Sequence, residues 1–333
     1  MTNWTDLHGD SFNGIPVLVT GGAGFIGSHL SEALASLGAG VRVLDDLSGA
    51  DAANLEFDAQ VGRIELVRAS ILAEDAVGQA IKGCRYVFHE AALPSVPRSL
   101  EMPRQYHEVN VTGTQILLDA AIKAGVERVV FAGSSSAYGD SPVLPKVETM
   151  LPAPKSPYAA NKLAGEFLMQ SYASCFAIDT TVLRYFNIFG PRQNANSAYA
   201  GVIAAFAKAL LSDRRPTIHG DGEQTRDFTY VDNAVQANLL AARSHQSLTG
   251  SVINVACGTS ITVNELAARM ARILDKEQLV PVHGPDRQGD VRHSRAELSL
   301  ARKRLGYEPV VDFAEGLQAT VEWFSRHADS LAV

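Results

Sequence analysis

Apolar positions along the chain fall into two patterns: short unbroken runs, and longer stretches in which they recur every three or four residues. Unbroken runs of aliphatic residues predict strands buried on both faces, and the 3.6-residue recurrence predicts helices packed along one side. On this reading residues 16–20 form a strand, 26–37 a helix, 41–44 and 64–68 strands, 73–82 a helix and 86–89 a strand. A long helix over 103–124, a strand at 129–132, a helix at 158–176 and a strand at 180–184 continue the alternation. Strands that alternate with helices across short connections pair in parallel, with helices on both faces. The expected fold is α/β, a Rossmann-like doubly wound parallel sheet with a smaller C-terminal α+β lobe.

The pattern changes after Arg184, because residues 187–198 are rich in Asn, Gly, Pro and Arg and keep neither period. Further on, a helix is predicted at 200–211, strands at 227–231 and 251–256, and a helix at 263–274 with Thr262 as its N-cap. The predicted division is the doubly wound domain over 1–187, with a return segment around 228–258, and a smaller lobe over 188–333 that acts as a lid. Residues 1–14 carry Asp6, His8 and Asp10 and no apolar core of a leader, so they read as a short polar extension.

Composition narrows the partners. The 29 basic residues are dispersed in a chain of net charge −7, which points away from nucleic acid and from an anionic membrane and toward a small ligand. Cys84, Cys175 and Cys257 lie far apart without a paired spacing, so neither a disulfide framework nor a metal site is indicated and a reducing cytoplasm fits. No apolar run approaches the roughly 20 residues that span a bilayer.

Two constellations carry chemistry. Gly21, Gly24 and Gly27 follow the first strand directly and open the first helix, the arrangement that cradles a dinucleotide pyrophosphate on backbone N–H groups. At the end of the second strand, Asp45 can accept from both ribose hydroxyls, and its charge would repel a 2′-phosphate; no arginine follows in 46–50, so NAD is preferred to NADP. The second constellation is Tyr158 and Lys162, one helical turn apart on one face. A free phenol titrates near ~10; a nearby ammonium and a cationic nicotinamide would bring that value down far enough for the phenol to serve as a base. Ser134-Ser135-Ser136 ends the strand at 129–132, and hydroxyls at the carboxyl end of a parallel strand face the ligand crevice.

With these motifs in view, the chain resembles the extended short-chain dehydrogenase/reductase family and, within it, the nucleotide-sugar epimerases. The likeness runs from Ile15 to Trp323. It rests on 20–27, Asp45, Asn110 in its Val-Asn-Val-Thr-Gly-Thr context, 134–139, the Tyr158/Lys162 pair, 184–191, 220–228 and 289–292. It implies a catalytic trio of Ser134, Tyr158 and Lys162. It also implies cofactor contacts at Gly21, Gly24, Phe25 and Ile26, at Asp45, Asp46, Leu47, Ser48 and Gly49, and at Ser70, Ile71, Ala91, Ala92, Asn110 and Tyr185. The family often has Gly-Asp before an aliphatic residue where this chain has Ala69-Ser70-Ile71, so the adenine contact differs. By the same resemblance Asn187, Arg226 and Arg287 hold a UDP diphosphate, for which two guanidiniums are chemically suited. Ser95, Val96, Ser135, Ser136, Asn196, Tyr199, Val202, Thr217, His219, Asp290 and Ser294 complete the substrate pocket.

Relatives that dehydrate or decarboxylate keto-sugars carry a carboxylate two residues before the Tyr-Gly pair, and here Ser136 stands there. The resemblance therefore implies C4 epimerisation of a UDP-hexose through a 4-keto intermediate on NAD. Residues 91–99 and 289–294 resemble the branch acting on UDP-N-acetylglucosamine and its uronic acid, where a small residue at the position of Ser294 leaves room for an N-acetyl group. Alternatives are a UDP-glucose or UDP-glucuronate 4-epimerase, a UDP-sugar decarboxylase or dehydratase, and a non-catalytic NAD-binding scaffold on the same fold. Arg98 reads either as a reader of a C6 carboxylate or as a solvated or diphosphate-facing arginine. A homodimer is expected through the helices at 103–124 and 158–176, although Ile116, Leu117 and Ala120 suit an intramolecular core equally.

Overall fold

A seven-stranded, wholly parallel sheet organises the computed structural model, which describes residues 2–57, 64–195, 201–286 and 291–328. In chain order α1 (Trp4–His8) precedes β1 (Pro16–Thr20), α2 (Phe25–Ser36), β2 (Gly40–Asp45), β3 (Ile64–Arg68), α3 (Glu74–Ile81) and β4 (Tyr86–His89). Next come α4 (Val96–Glu101), α5 (Pro103–His107), α6 (Gly113–Ala124), β5 (Arg128–Ser134), α7 (Pro157–Cys175) and β6 (Asp179–Tyr185). The remainder holds β7 (Ile188–Phe189), α8 (Val202–Leu211), β8 (Thr217–His219), β9 (Thr225–Arg226), β10 (Thr229–Tyr230), α9 (Val231–Arg243) and β11 (Ser251–Val255). It closes with β12 (Ile261–Thr262), α10 (Val263–Ile273), β13 (Val282–Gly284), α11 (Ser299–Leu305) and α12 (Phe313–Arg326).

The sheet order is β3-β2-β1-β4-β5-β6-β11. Val17, Leu18 and Val19 are fully buried because helices cover both faces of the central strand, which is why the run is apolar without alternation. From β1 the chain builds outward to β3 and then crosses back to β4, so the carboxyl ends of β1 and β4 part into a crevice. A second core lies under α8, α10 and α12, where Phe206, Leu266 and Phe324 meet an aromatic cluster of Phe189, Phe228 and Tyr230.

Beyond β7 the chain rejoins the sheet twice: α9 packs on α2 while β11 pairs with β6, and residues 296–307 then pack into the sheet's core. The expected strand at 227–231 contracts to β10, because Val231 already starts α9. The long helix at 103–124 runs as α5 and α6 joined through a wide π-type turn at Glu108–Thr112. Leu117 is fully buried in its own chain's core, with Ile116 and Ala120 packed against that core, so these three do not by themselves mark an interface. No helix among the described residues is long and apolar enough to cross a membrane.

The N-terminal segment departs from the polar extension expected of it. Asn3 caps α1, Thr2 Oγ1 donates to Asp232 at 2.6 Å, and His8 and Gln236 share a 2.7 Å hydrogen bond. Phe12 is fully buried, edge-on to Tyr86 and beneath the Arg243 guanidinium. Asp6 and Asp10 face outward, while Thr2 and His8 tie the segment to α9 and Phe12, with the partly buried Trp4, closes the core. Phe12→Ala should therefore cost about 3–5 kcal/mol of unfolding free energy in a urea titration. A loss below about 1 kcal/mol would show that the segment is only draped on the surface.

Candidate active site

The glycine turn fits a dinucleotide cradle. Gly21 has φ of +68°, and a Cβ there would lie 2.6 Å from the Ala91 nitrogen; one on Gly27 would lie 2.1 Å from the Gly21 carbonyl oxygen. Side chains are thus excluded where α2 approaches the strands. The α2 N-cap is Gly24, which makes no side-chain cap hydrogen bond, so the first N–H groups of α2, at Phe25 and Ile26, remain available to an anion. Gly22, outside the spaced triplet, serves the same packing because a Cβ there would meet Val43 at 2.8 Å.

Asp45 ends β2 and accepts from Ala23 N at 3.0 Å and Leu47 N at 2.9 Å, which fixes the carboxylate at the mouth of the crevice. Burial raises its pKa, and these N–H donors pull the other way. Asp46 accepts from Ser48 N at 2.9 Å, so 46–49 forms a turn beside the glycine loop, with Leu47 at φ of +61° and Ser48 and Gly49 exposed. Ser70 Oγ caps the next turn by accepting from Leu72 N at 3.2 Å, and Ile71 is buried against Gly113. Asn110 uses both ends of its amide on Leu93, accepting from its N–H at 2.8 Å and donating to its carbonyl at 3.1 Å. It therefore bears on the crevice by pinning the loop that carries Ala91 and Ala92.

Ser134 ends β5, where its Oγ accepts from the Ser136 N–H at 3.2 Å and from the Ser136 hydroxyl at 2.8 Å. Tyr158 lies in the first turn of α7, whose N-cap Ser156 accepts from Ala159 N. Burial raises the Tyr158 phenol, and a hydrogen bond with Ser134 opposes that rise. The expected depression rests on Lys162 together with a cationic nicotinamide, and within the chain alone Lys162 is not among the effects that set the phenol. Lys162 Nζ instead donates to the Ala132 carbonyl at 2.9 Å and lies 5.0 Å from the Phe131 ring centre. Its own pKa is lowered by burial and held up by Glu90 and Glu166. Tyr185, at the end of β6, donates to Glu90 Oε1 at 2.7 Å and accepts from Asn238 Nδ2 at 2.6 Å.

A cleft of about 1530 Å³ runs from Ser134 and Tyr158 into the C-terminal lobe. Ser95 and Val96 line it from α4, Ser135 and Ser136 from the β5 end, and Tyr185 and Asn187 from the β6 end. Val202, Thr217, His219, Arg226 and Ser294 line the far side. Asn196, Tyr199, Arg287 and Asp290 lie outside the described residues. Lys146, Lys155, Arg214 and Arg215 also line the cleft, cations that the motif reading did not assign.

One wall of this cleft hangs on Asp227. Its carboxylate accepts from Cys257 N and Gly258 N at 3.1 Å and from Ala296 N at 3.0 Å, joining three separate segments. Burial pushes its carboxyl up to about 7 while these donors pull it down. Two residues before Ala296, Ser294 is almost fully buried, and its Oγ accepts from Asn187 Nδ2 at 3.2 Å. Asn187 adopts φ of +41°, a conformation that asparagine tolerates better than most residues.

Residues 17–256 match the NAD dependent epimerase/dehydratase family. The chain is 40% identical to the UDP-glucose 4-epimerase of Mycolicibacterium smegmatis, over 92% of this chain and 97% of that one. Among solved structures it is similar to the UDP-N-acetylglucosamine 4-epimerase from Methanobrevibacter ruminantium, in complex with UDP-N-acetylmuramic acid. That likeness has a TM-score of 0.89 at 38% identity and covers 95% of this chain and 99% of the other. A mutant UDP-glucuronic acid 4-epimerase from Bacillus cereus, with a fluorinated UDP-glucuronic acid and NAD, superposes with a TM-score of 0.86 at 30% identity, covering 94% and 100%.

Asp227→Asn sets an amide NH2 against backbone N–H donors and should destabilise the fold by about 2–3 kcal/mol. A urea titration indistinguishable from the wild type would contradict the role given to this carboxylate.

Proposed function

The chain belongs to the NAD dependent epimerase/dehydratase family, and on that premise we propose that it inverts C4 of a UDP-hexose, interconverting UDP-N-acetylglucosamine and UDP-N-acetylgalactosamine. The observation that carries the choice of sugar is Ser294, a small residue in the cleft wall where a tyrosine would collide with a 2-acetamido group.

Gly21, Gly24 and the N-terminus of α2 would hold the pyrophosphate of NAD, and Asp45 its adenosine ribose. When bound, NAD supplies a reversible hydride acceptor for C4. Ser134 holds O4 of the sugar by hydrogen bonding while Tyr158 takes the 4-hydroxyl proton, leaving a 4-keto sugar. Since burial keeps the phenol protonated, positive charge close to it is what would make it a base. Asn187 and Arg226 keep the diphosphate in place while the ring turns its other face inward. Tyr158 then returns the proton to O4 of the inverted alcohol. Ser136, neutral and bonded to Ser134, offers no carboxylate for elimination or loss of CO2.

A uronic acid is the second reading, favoured by the cations of Lys155, Arg214 and Arg215 along the cleft. We further propose a homodimer through α7, where Phe167 on the helix and Phe176 just past its end are 55% and 49% exposed. Sedimentation equilibrium at micromolar concentration should give about twice the 35.6 kDa of one chain, and a single monomeric species would refute pairing.

Incubation with UDP-glucose, UDP-N-acetylglucosamine and their uronic acids, followed by separation of the products, tests the substrate directly. Ser294→Tyr should cut turnover of the acetamido sugar by at least about 100-fold and spare UDP-glucose, since a steric clash discriminates more strongly than a missing methylene. Efficient epimerisation of UDP-glucose by the wild type, with every N-acetylated sugar ignored, would overturn the role of Ser294.

A further inference from the structure

Glu90 follows β4 directly, at the point where β1 and β4 diverge, and its N–H donates to the Thr20 carbonyl at 3.1 Å. That contact extends the β1–β4 pairing by one residue and fixes the side chain in the crevice. The Glu90 carboxylate accepts from the Tyr185 hydroxyl at 2.7 Å, and that hydroxyl accepts in turn from Asn238 at 2.6 Å. With the hydroxyl oxygen occupied by the Asn238 donor, its proton is directed at Glu90. Tyr185 and Asn238 are neutral donors, so they orient the carboxylate and leave its charge uncompensated.

Two carboxylates lie near the Lys162 ammonium: Glu90, one residue past the His89–Phe131 register pair and so beside Ala132, whose carbonyl holds Nζ, and Glu166 on α7. Glu166, one turn on along α7, is engaged by Arg184 through two hydrogen bonds of 2.9 and 2.7 Å, and both side chains are nearly fully buried. Its direct partner is the guanidinium, although it also helps to hold Lys162 up. From β4 the ammonium also faces His89, whose imidazole burial and Lys162 together keep neutral, with a pKa lowered to about 3. Phe131 offers it only a ring face and Ala132 only a carbonyl. Glu90 is the remaining charge of opposite sign.

We propose that Glu90 is the counter-ion of Lys162, a positioning residue that keeps the ammonium charged in the crevice and is itself oriented by Tyr185 and Asn238. The two groups raise and lower each other accordingly: Lys162 holds Glu90 down against burial, and Glu90 holds Lys162 up. The inference rests on the participation of Lys162 in the reaction proposed above.

The sign of the effect follows. Burial depresses the ammonium, so removal of the negative partner depresses it further and the charge is lost at lower pH. Glu90→Gln retains a carbonyl oxygen to accept from Tyr185 and removes only the charge. In NMR titrations of lysine 13Cε signals in the full-length protein as purified, with Lys162→Met to assign the resonance, the Lys162 midpoint should fall by about one unit or more in Glu90→Gln. Tyr185→Phe withdraws a donor that keeps Glu90 ionised and should move the midpoint the same way by less, which preserves the test if Glu90→Gln fails to fold. The alkaline limb of the kcat profile should follow the midpoint downward, and Glu90→Asp should restore part of it. A Lys162 midpoint unchanged in both variants overturns the inference. A shifted midpoint with an unmoved kcat profile upholds the coupling and instead removes Lys162 from the functional reading.

Discussion

The parting of β1 and β4 is the constraint on which the functional geometry depends. A parallel sheet that builds outward from β1 to β3 and then restarts at β4 cannot close its carboxyl edge there, because the connections leave on opposite faces. Into that gap project the glycine turn after β1, Asp45 after β2 and Glu90 after β4, with Ser134 and Tyr185 at the ends of β5 and β6. None of them needs a long loop to reach the crevice. Each is the last residue of a buried strand or within a turn of it, so its position inherits the rigidity of the sheet.

The second constraint is electrostatic. Lys162 and Glu166 share a face of α7 at the sheet, and both are buried. Such charges persist inside a protein only when paired. Arg184 pairs with Glu166, Lys162 Nζ donates to the Ala132 carbonyl, and Tyr185 with Asn238 hold Glu90, the proposed counter-ion, in place. The resulting chain of contacts runs from α7 through the sheet to α9. Residues 231–255, although they follow the junction near 187, are therefore part of the site's support.

Strands were legible in the sequence because central parallel strands are apolar on both faces, and the glycine turn because its spacing sits directly after one of them. The Tyr158 and Lys162 spacing was equally readable, since helix geometry alone puts them on one face. Other features depend on partners distant in sequence. Asp227 matters because Cys257, Gly258 and Ala296 converge on it, and no local pattern announces that convergence. The full burial of Phe12 and the partial burial of Trp4 were hidden by the acidic residues between them. Glu90 carries a local signal as well: it directly follows a parallel strand, much as Ser134 ends one. The sequence spacing puts Lys162 beside Tyr158 but does not show the Ala132 carbonyl that its ammonium meets from β5.

The central claim is that one carbon loses and regains its own hydrogen within the crevice. Incubating the protein with UDP-N-acetylglucosamine deuterated at C4 tests it most directly. The account predicts UDP-N-acetylgalactosamine that retains the label at C4, because the hydrogen leaves and returns without exchange. Loss of the label to water, or a product not inverted at C4, would contradict it.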